Sequence, residues 1–214
     1  MIDYFYDENE RRTDKYWLFF AMTHIGSMVV ATVFMVLAIP VHAEPQTWRD
    51  RAIAAVRPGA VVARRGLDND PITQAILFWQ GGGRWSHVGI AVQLIPEGPI
   101  YIESAMPGSG TRLERPEIFF SPEQASDGEV MLLPEEAVDA VQSAAKSLLG
   151  RPFDDQLELD DDGKKLYCTE LVALALRIAG VVKDLPTLSV PFLPQQIIAP
   201  DDLIAVVRLI GLRP

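Results

Sequence analysis

The sequence predicts an α+β domain, a central antiparallel sheet packed against helices, preceded by a hydrophobic leader helix. Polar and apolar residues alternate from His87 to Leu94 and again over Ile100 to Glu103, on either side of the turn cluster Pro96-Glu97-Gly98-Pro99. Glu135 to Leu149 and Cys168 to Ala179 instead repeat their apolar residues at the period of a helix. Tyr16 to Ile39 contains no Asp, Glu, Lys or Arg.

That uncharged run follows Arg11, Arg12 and Lys15 and ends in Met28 to Ile39, a stretch apolar but for Thr32, then Pro40 and Val41-His42-Ala43. The order reads as a basic region, a hydrophobic core, a breaker and a small-residue cleavage site. Residues 1–43 are therefore expected to be a signal peptide or a membrane anchor, with 16–39 the part that enters the membrane. The domain at 44–214 is expected to be exported to a bacterial cell envelope.

Trp48 to Val56 suits a short helix, and Pro58-Gly59 turns the chain into the apolar strand Ala60 to Ala63. Ile72 to Trp79 has the spacing of a short amphipathic helix, and the triple glycine 81–83 reads as a hinge before Trp85-Ser86-His87. In the following strand Val88, Ile90, Val92 and Leu94 form the core face, which leaves His87 facing away from the core, and Glu103 with it if the hairpin is simple. A turn centred on residue 95 sets Glu103 opposite His87, whereas one centred on 97 sets it opposite Ala91. Pro107 to Gly110 is a loop and Val130 to Leu133 a strand. The helix at Glu135 to Leu149 turns Val138, Val141, Ala145 and Leu148 inward, and the one at Cys168 to Ala179 turns Leu171, Val172, Ala175 and Ile178 inward. Leu203 to Ile210 reads as a last strand after a proline-marked connection.

The 214 residues carry 19 basic and 29 acidic side chains, a formal charge of -10 with no basic cluster, which argues against a nucleic-acid partner. Without residues 1–43 the chain retains one histidine, His87, and one cysteine, Cys168. Disulfide scaffolds drop out, and so do zinc sites unless built largely from carboxylates. The nucleophile elbow GxSxG, HExxH, the P-loop and GxGxxG are absent from the sequence. Glu158, Asp160, Asp162 and Gly163 begin like a calcium loop, but Thr169 stands where the twelfth position needs Glu, so the segment reads as solvated and no cofactor or metal is expected.

Cys168 begins a helix, where the dipole and free N–H groups favour a thiolate. Its backbone N–H, with the Tyr167 hydroxyl as a second donor, is placed to stabilise an oxyanion. His87 is the one imidazole available as base, and Glu103 is the nearest outward carboxylate to orient it. A buried packing cysteine and a strand histidine with an ordinary hydrogen bond are the plain alternatives.

Trp85-Ser86-His87-Val88-Gly89-Ile90, Ile102-Glu103-Ser104-Ala105 and Leu166-Tyr167-Cys168-Thr169-Glu170-Leu171-Val172 together resemble the permuted papain-like amidases of the YaeF/YiiX type, relatives of the NlpC cell-wall hydrolases. The resemblance runs from about Pro58 to Asp202 and includes Gly150-Arg151-Pro152-Phe153-Asp154-Asp155. It departs at Ala60, where relatives commonly carry an acid, and at Thr169, where Ser is frequent. It implies a circularly permuted papain-like fold with Cys168 as nucleophile, His87 as base and Glu103 as the orienting residue. It also implies a cysteine amidase or peptidase acting on an envelope peptide, a peptidoglycan-type amide or a lipid N-acyl amide through a thioester. A thioester-forming acyltransferase, similar to the lecithin-retinol type, is the neighbouring expectation. An envelope lipid- or peptide-binding module with a silent site, lined by Trp79, Trp85, Tyr101 and Phe153, is the expectation from another class.

Overall fold

In the computed structural model, residues 46–159, 163–190 and 196–211 are described. The expected leader at 1–43, its span at 16–39, and Asp160 and Asp162 lie outside them. Among the described residues no helix is long and apolar enough to cross a membrane.

Helix α1 (Trp48–Ala55) starts at Thr47, whose side chain accepts from the Asp50 N–H while Asp50 reaches back to the Thr47 N–H. This reciprocal cap fixes the helix where the sequence places it. Strand β1 (Val61–Arg65) follows, then α2 (Pro71–Trp79), capped by the Asp70 carboxylate on Ile72 and Thr73. Strands β2 (His87–Gln93), β3 (Ile100–Met106) and β4 (Gly110–Glu114) form consecutive antiparallel pairs. A short α3 (Pro116–Phe119) leads to β5 (Asp127–Met131), which pairs with β1. The sheet order is β4-β3-β2-β1-β5. Helices α4 (Glu135–Leu148) and α5 (Cys168–Ile178) come next, then a two-residue pair, β6 (Leu188–Ser189) with β7 (Gln196–Ile197), and α6 (Pro200–Gly211).

Both faces of the sheet are covered. Val61, Ala63, Val88, Ile90 and Val92 pack beneath α4, α5 and α6 in the main core. Val62, Ala91 and Ile102 point the other way, into a smaller cluster closed by Phe119 and Phe120. The alternation in β2 therefore marks two interiors, and its second face is not a solvent face.

Several expectations change. Leu203 to Ile210 lies within α6, where Leu203, Ile204, Val207 and Ile210 are buried at helical spacing behind Asp201 and Asp202 in the first turn. A short run of branched apolar residues is ambiguous by composition, and tertiary packing selected the helix. Gly110 begins a strand that its loop-like neighbours concealed. Within α5, Leu176 is inward and Ile178 is 55% exposed, the reverse of the expected end of the stripe. The glycines after α2 end that helix: Gly81 and Gly82 adopt φ of 72° and 94°, and the Gly82 N–H reaches the Leu77 carbonyl at 2.8 Å.

The β2–β3 register is neither of the two considered. Gln93 pairs with Ile100 and Ile90 with Glu103, so the connection spans the six residues 94–99. An even number shifts every odd–odd pairing to odd–even, which carries Glu103 to the opposite face from His87. Gly89 lies where the two strands pass closely: a Cβ there would stand 2.7 Å from the Glu103 carbonyl oxygen and from Ile102 Cγ2. Gly89→Ala is expected to destabilise the protein by about 1 to 3 kcal/mol, read as a lowered guanidinium midpoint; an unchanged midpoint contradicts the close approach.

Candidate functional site

The Cys168 sulfur sits at the first position of α5, behind Tyr167 as N-cap. The helix forms there because Leu171, Val172, Ala175 and Leu176 bury one stripe against the sheet, fully enclosed. The sulfur is thereby held beside the first residues of β2. The Val88, Thr169 and Cys168 N–H groups and Arg64 favour the thiolate, but burial outweighs them and pushes the thiol up from its ordinary value.

His87 opens β2 opposite Arg64 on β1. Its ring stacks on Phe119 at 5.6 Å between centroids, and its Nε2 is buried without a hydrogen-bond partner. Burial first, then Arg64 and Arg112, hold the imidazole well below its ordinary value, so it is neutral. The segment entering β2 is clamped from the far end of the chain. The Asp201 carboxylate accepts from the Arg84 N–H at 2.7 Å and the Trp85 N–H at 3.0 Å. Gln80 accepts from the Asp201 N–H and donates to the Trp85 carbonyl. Ser86 adds a backbone bond to Arg64 and accepts from the Gly66 N–H. What the triple glycine suggested as a mobile approach is tied down from Arg84 onward.

Cys168 and His87 line one cavity of about 580 Å³ with Arg64, Asp70, Arg112 and Glu123. Glu103 is not part of it. Its side chain lies on the Ile90 face, fully buried, with neither oxygen hydrogen-bonded, and burial pushes its carboxyl up to about 8. The structure does not bring Glu103 to the ring it was expected to orient. Tyr167 is also placed differently: its hydroxyl oxygen accepts from the Ile198 N–H at 3.0 Å, and burial pushes its phenol up from the ordinary value, against ionisation. It lines a second, apolar cavity of about 430 Å³ with Ile72, Ala75, Ile76, Trp79 and Leu157. Cys168 borders both cavities, as does Phe153. Of the aromatics expected to line a binding pocket, Trp79 and Phe153 do so, whereas Trp85 is a core residue at 1% exposure.

Sequence reasoning missed Arg64. It is 5% exposed; its Nη1 donates to the Phe119 carbonyl at 2.9 Å and to Gln124 Oε1 at 2.5 Å. The available signal was parity, because Arg64 stands two residues after the inward Val62 on the same strand. Ser104, Arg112 and Glu114 share this sheet face, with Arg112 paired to Glu114.

No family model matches the chain, and no curated protein matches it in sequence. Among solved structures it is similar to the crystal structure of metalloprotein YiiX from Escherichia coli O157:H7, DUF1105, at a TM-score of 0.57 and 15% identity. The likeness covers 69% of this chain and 91% of that one and establishes a YiiX-like α+β fold. The word metalloprotein belongs to that protein. Among the described residues here, no group of three or more His, Cys, Asp or Glu side chains is placed to hold a metal ion.

Two measurements test this electrostatic arrangement. Glu103 is protonated in the native protein over a range where the unfolded chain is ionised, so the native state binds the extra proton. Its contribution to stability is full below pH of about 4.3 and is lost as pH rises toward about 8. Glu103→Gln is expected to flatten the fall in melting temperature between pH 5 and pH 8; an unaltered slope shows another group is responsible. Iodoacetamide should modify Cys168 with a pH midpoint above that of the urea-unfolded chain, and a midpoint below it refutes the burial effect.

Proposed function

We propose that the domain is a cysteine amidase that cleaves its substrate through a Cys168 thioester, with His87 as the proton carrier. The observation that supports this reading most is that a helix-N-terminal sulfur and an imidazole with an unpartnered Nε2 open onto the same cavity. The likeness to a YiiX-like fold agrees with it at the level of fold.

The chemistry follows from a neutral pair. Sγ attacks the acyl carbon as its proton passes to His87, so the thiolate develops during attack and need not pre-exist. The Cys168 N–H, at the positive end of α5, faces the charge that forms on the carbonyl oxygen. The tetrahedral species collapses, the C–N bond breaks, and His87 returns the proton to the departing amine. A water molecule then adds to the thioester, giving its proton to His87, and the carboxylic acid leaves as the thiol is restored. Burial first, then Arg64 and Arg112, keep His87 in the base form at rest. No carboxylate is required to orient the ring, because Phe119 and the clamped Arg84–Ser86 segment fix it by packing.

One second reading has an observation behind it: a deeply buried thiol and the displaced Glu103 also suit a silent binding module. Turnover separates the two. Cys168→Ala and His87→Ala should each lower amide hydrolysis by more than about a thousandfold with melting temperature nearly kept, and acyl transfer to Cys168 should appear as a mass increase in wild type alone. Wild-type rates in either variant would sink the mechanism.

A further inference from the structure

The two cavities are chemically unlike and meet at the reactive sulfur. His87 lines the one with Arg64 and Arg112 and is absent from the lining of the apolar one. A proton carrier must stand against the departing amine, so the amine half of the substrate occupies the His87 side. The acyl half then passes Ile72 and Ile76, which line both cavities, and extends along Ala75, Trp79 and Leu157, which offer little beyond apolar surface.

The charge inventory of the His87 side points to an anion. Asp70 spends its carboxylate on the α2 cap, accepting from Ile72, Thr73 and the Thr73 hydroxyl. Glu123 is a surface residue at the rim. Arg64 is enclosed, with Nη1 committed to Phe119 and Gln124, while among the described residues the hydrogen bond of Nη2 is a long one to Met106 Sδ at 3.9 Å. Among the described residues no carboxylate stands within ion-pair distance of it. Burial weakens its hold on its proton, to about 10, and the buried Glu114 carboxylate, which is itself paired with Arg112, is the largest charge opposing that loss. Arg112, half exposed beside it, is paired with Glu114, which itself is not part of the cavity lining. A buried guanidinium with unspent donors is costly until a planar anion meets it.

Building on the amidase reading above, we propose that the substrate is an N-acyl amino acid, with its apolar acyl chain in the Trp79 cavity and the carboxylate of its amine half held by Arg64 and Arg112. Hydrolysis of that amide releases a carboxylic acid from one side of Cys168 and an amino acid from the other.

Binding to the full chain carrying Cys168→Ala, measured by calorimetry, tests recognition without turnover. N-octanoylglycine should bind at least about tenfold more tightly than N-octanoylglycinamide, which differs only in its charge, and more tightly than N-acetylglycine. Arg112→Gln should bring the first ratio toward one, and Arg112→Lys should restore part of it. Equal binding of the acid and the amide, a ratio indifferent to Arg112→Gln, or no binding of any probe overturns the assignment. If the preferences appear but the wild-type chain hydrolyses neither octanoyl probe, the ligand assignment stands and the amidase reading falls.

Discussion

The pairing of β2 between β1 and β3 is the constraint on which the site depends. It places His87 opposite Arg64 on one side and fixes where Glu103 can point on the other. Because both faces of this sheet are buried, a change of one residue in register would exchange the contents of two interiors. Ile90 and Val92 would be traded for Gly89 and Ala91 beneath α5, at a cost far above that of any single polar contact. The position of the imidazole is thus enforced by hydrophobic burial some distance from it.

The same constraint explains the unusual electrostatics. A sheet buried on both faces leaves its polar residues no water, so each must find a partner or shift its proton equilibrium. Glu103 finds none and holds its proton; Arg64 finds carbonyl and amide oxygens but no close carboxylate; His87 stays neutral. Cys168 likewise remains a thiol at rest. These shifts keep Glu103, His87 and Cys168 uncharged at rest beside the enclosed cation Arg64.

A second dependence runs through the far end of the chain. Asp201 at the start of α6 and Gln80 at the end of α2 both hold the segment entering β2, so elements more than a hundred residues apart meet just ahead of His87. Gly83 permits that approach, since a Cβ there would lie 2.3 Å from Asp201 Oδ2. The position of His87 and closure of the fold are accordingly one structural event.

The sequence by itself determined the elements whose signals are local. The stripes of α4 and α5, the alternation of β2 and the helix-start position of Cys168 each arise within 14 residues or fewer, and periodicity reports them. It also limited the chemistry of the domain to a single Cys and a single His. Tertiary structure alone decided the face of Glu103, the helical state of residues 200–211, the enclosure of Arg64 and the engagement of the Tyr167 hydroxyl. The reason is physical. Parity across a hairpin depends on how many residues the connection uses, and burial depends on what packs above, and neither quantity is carried by any one segment of chain.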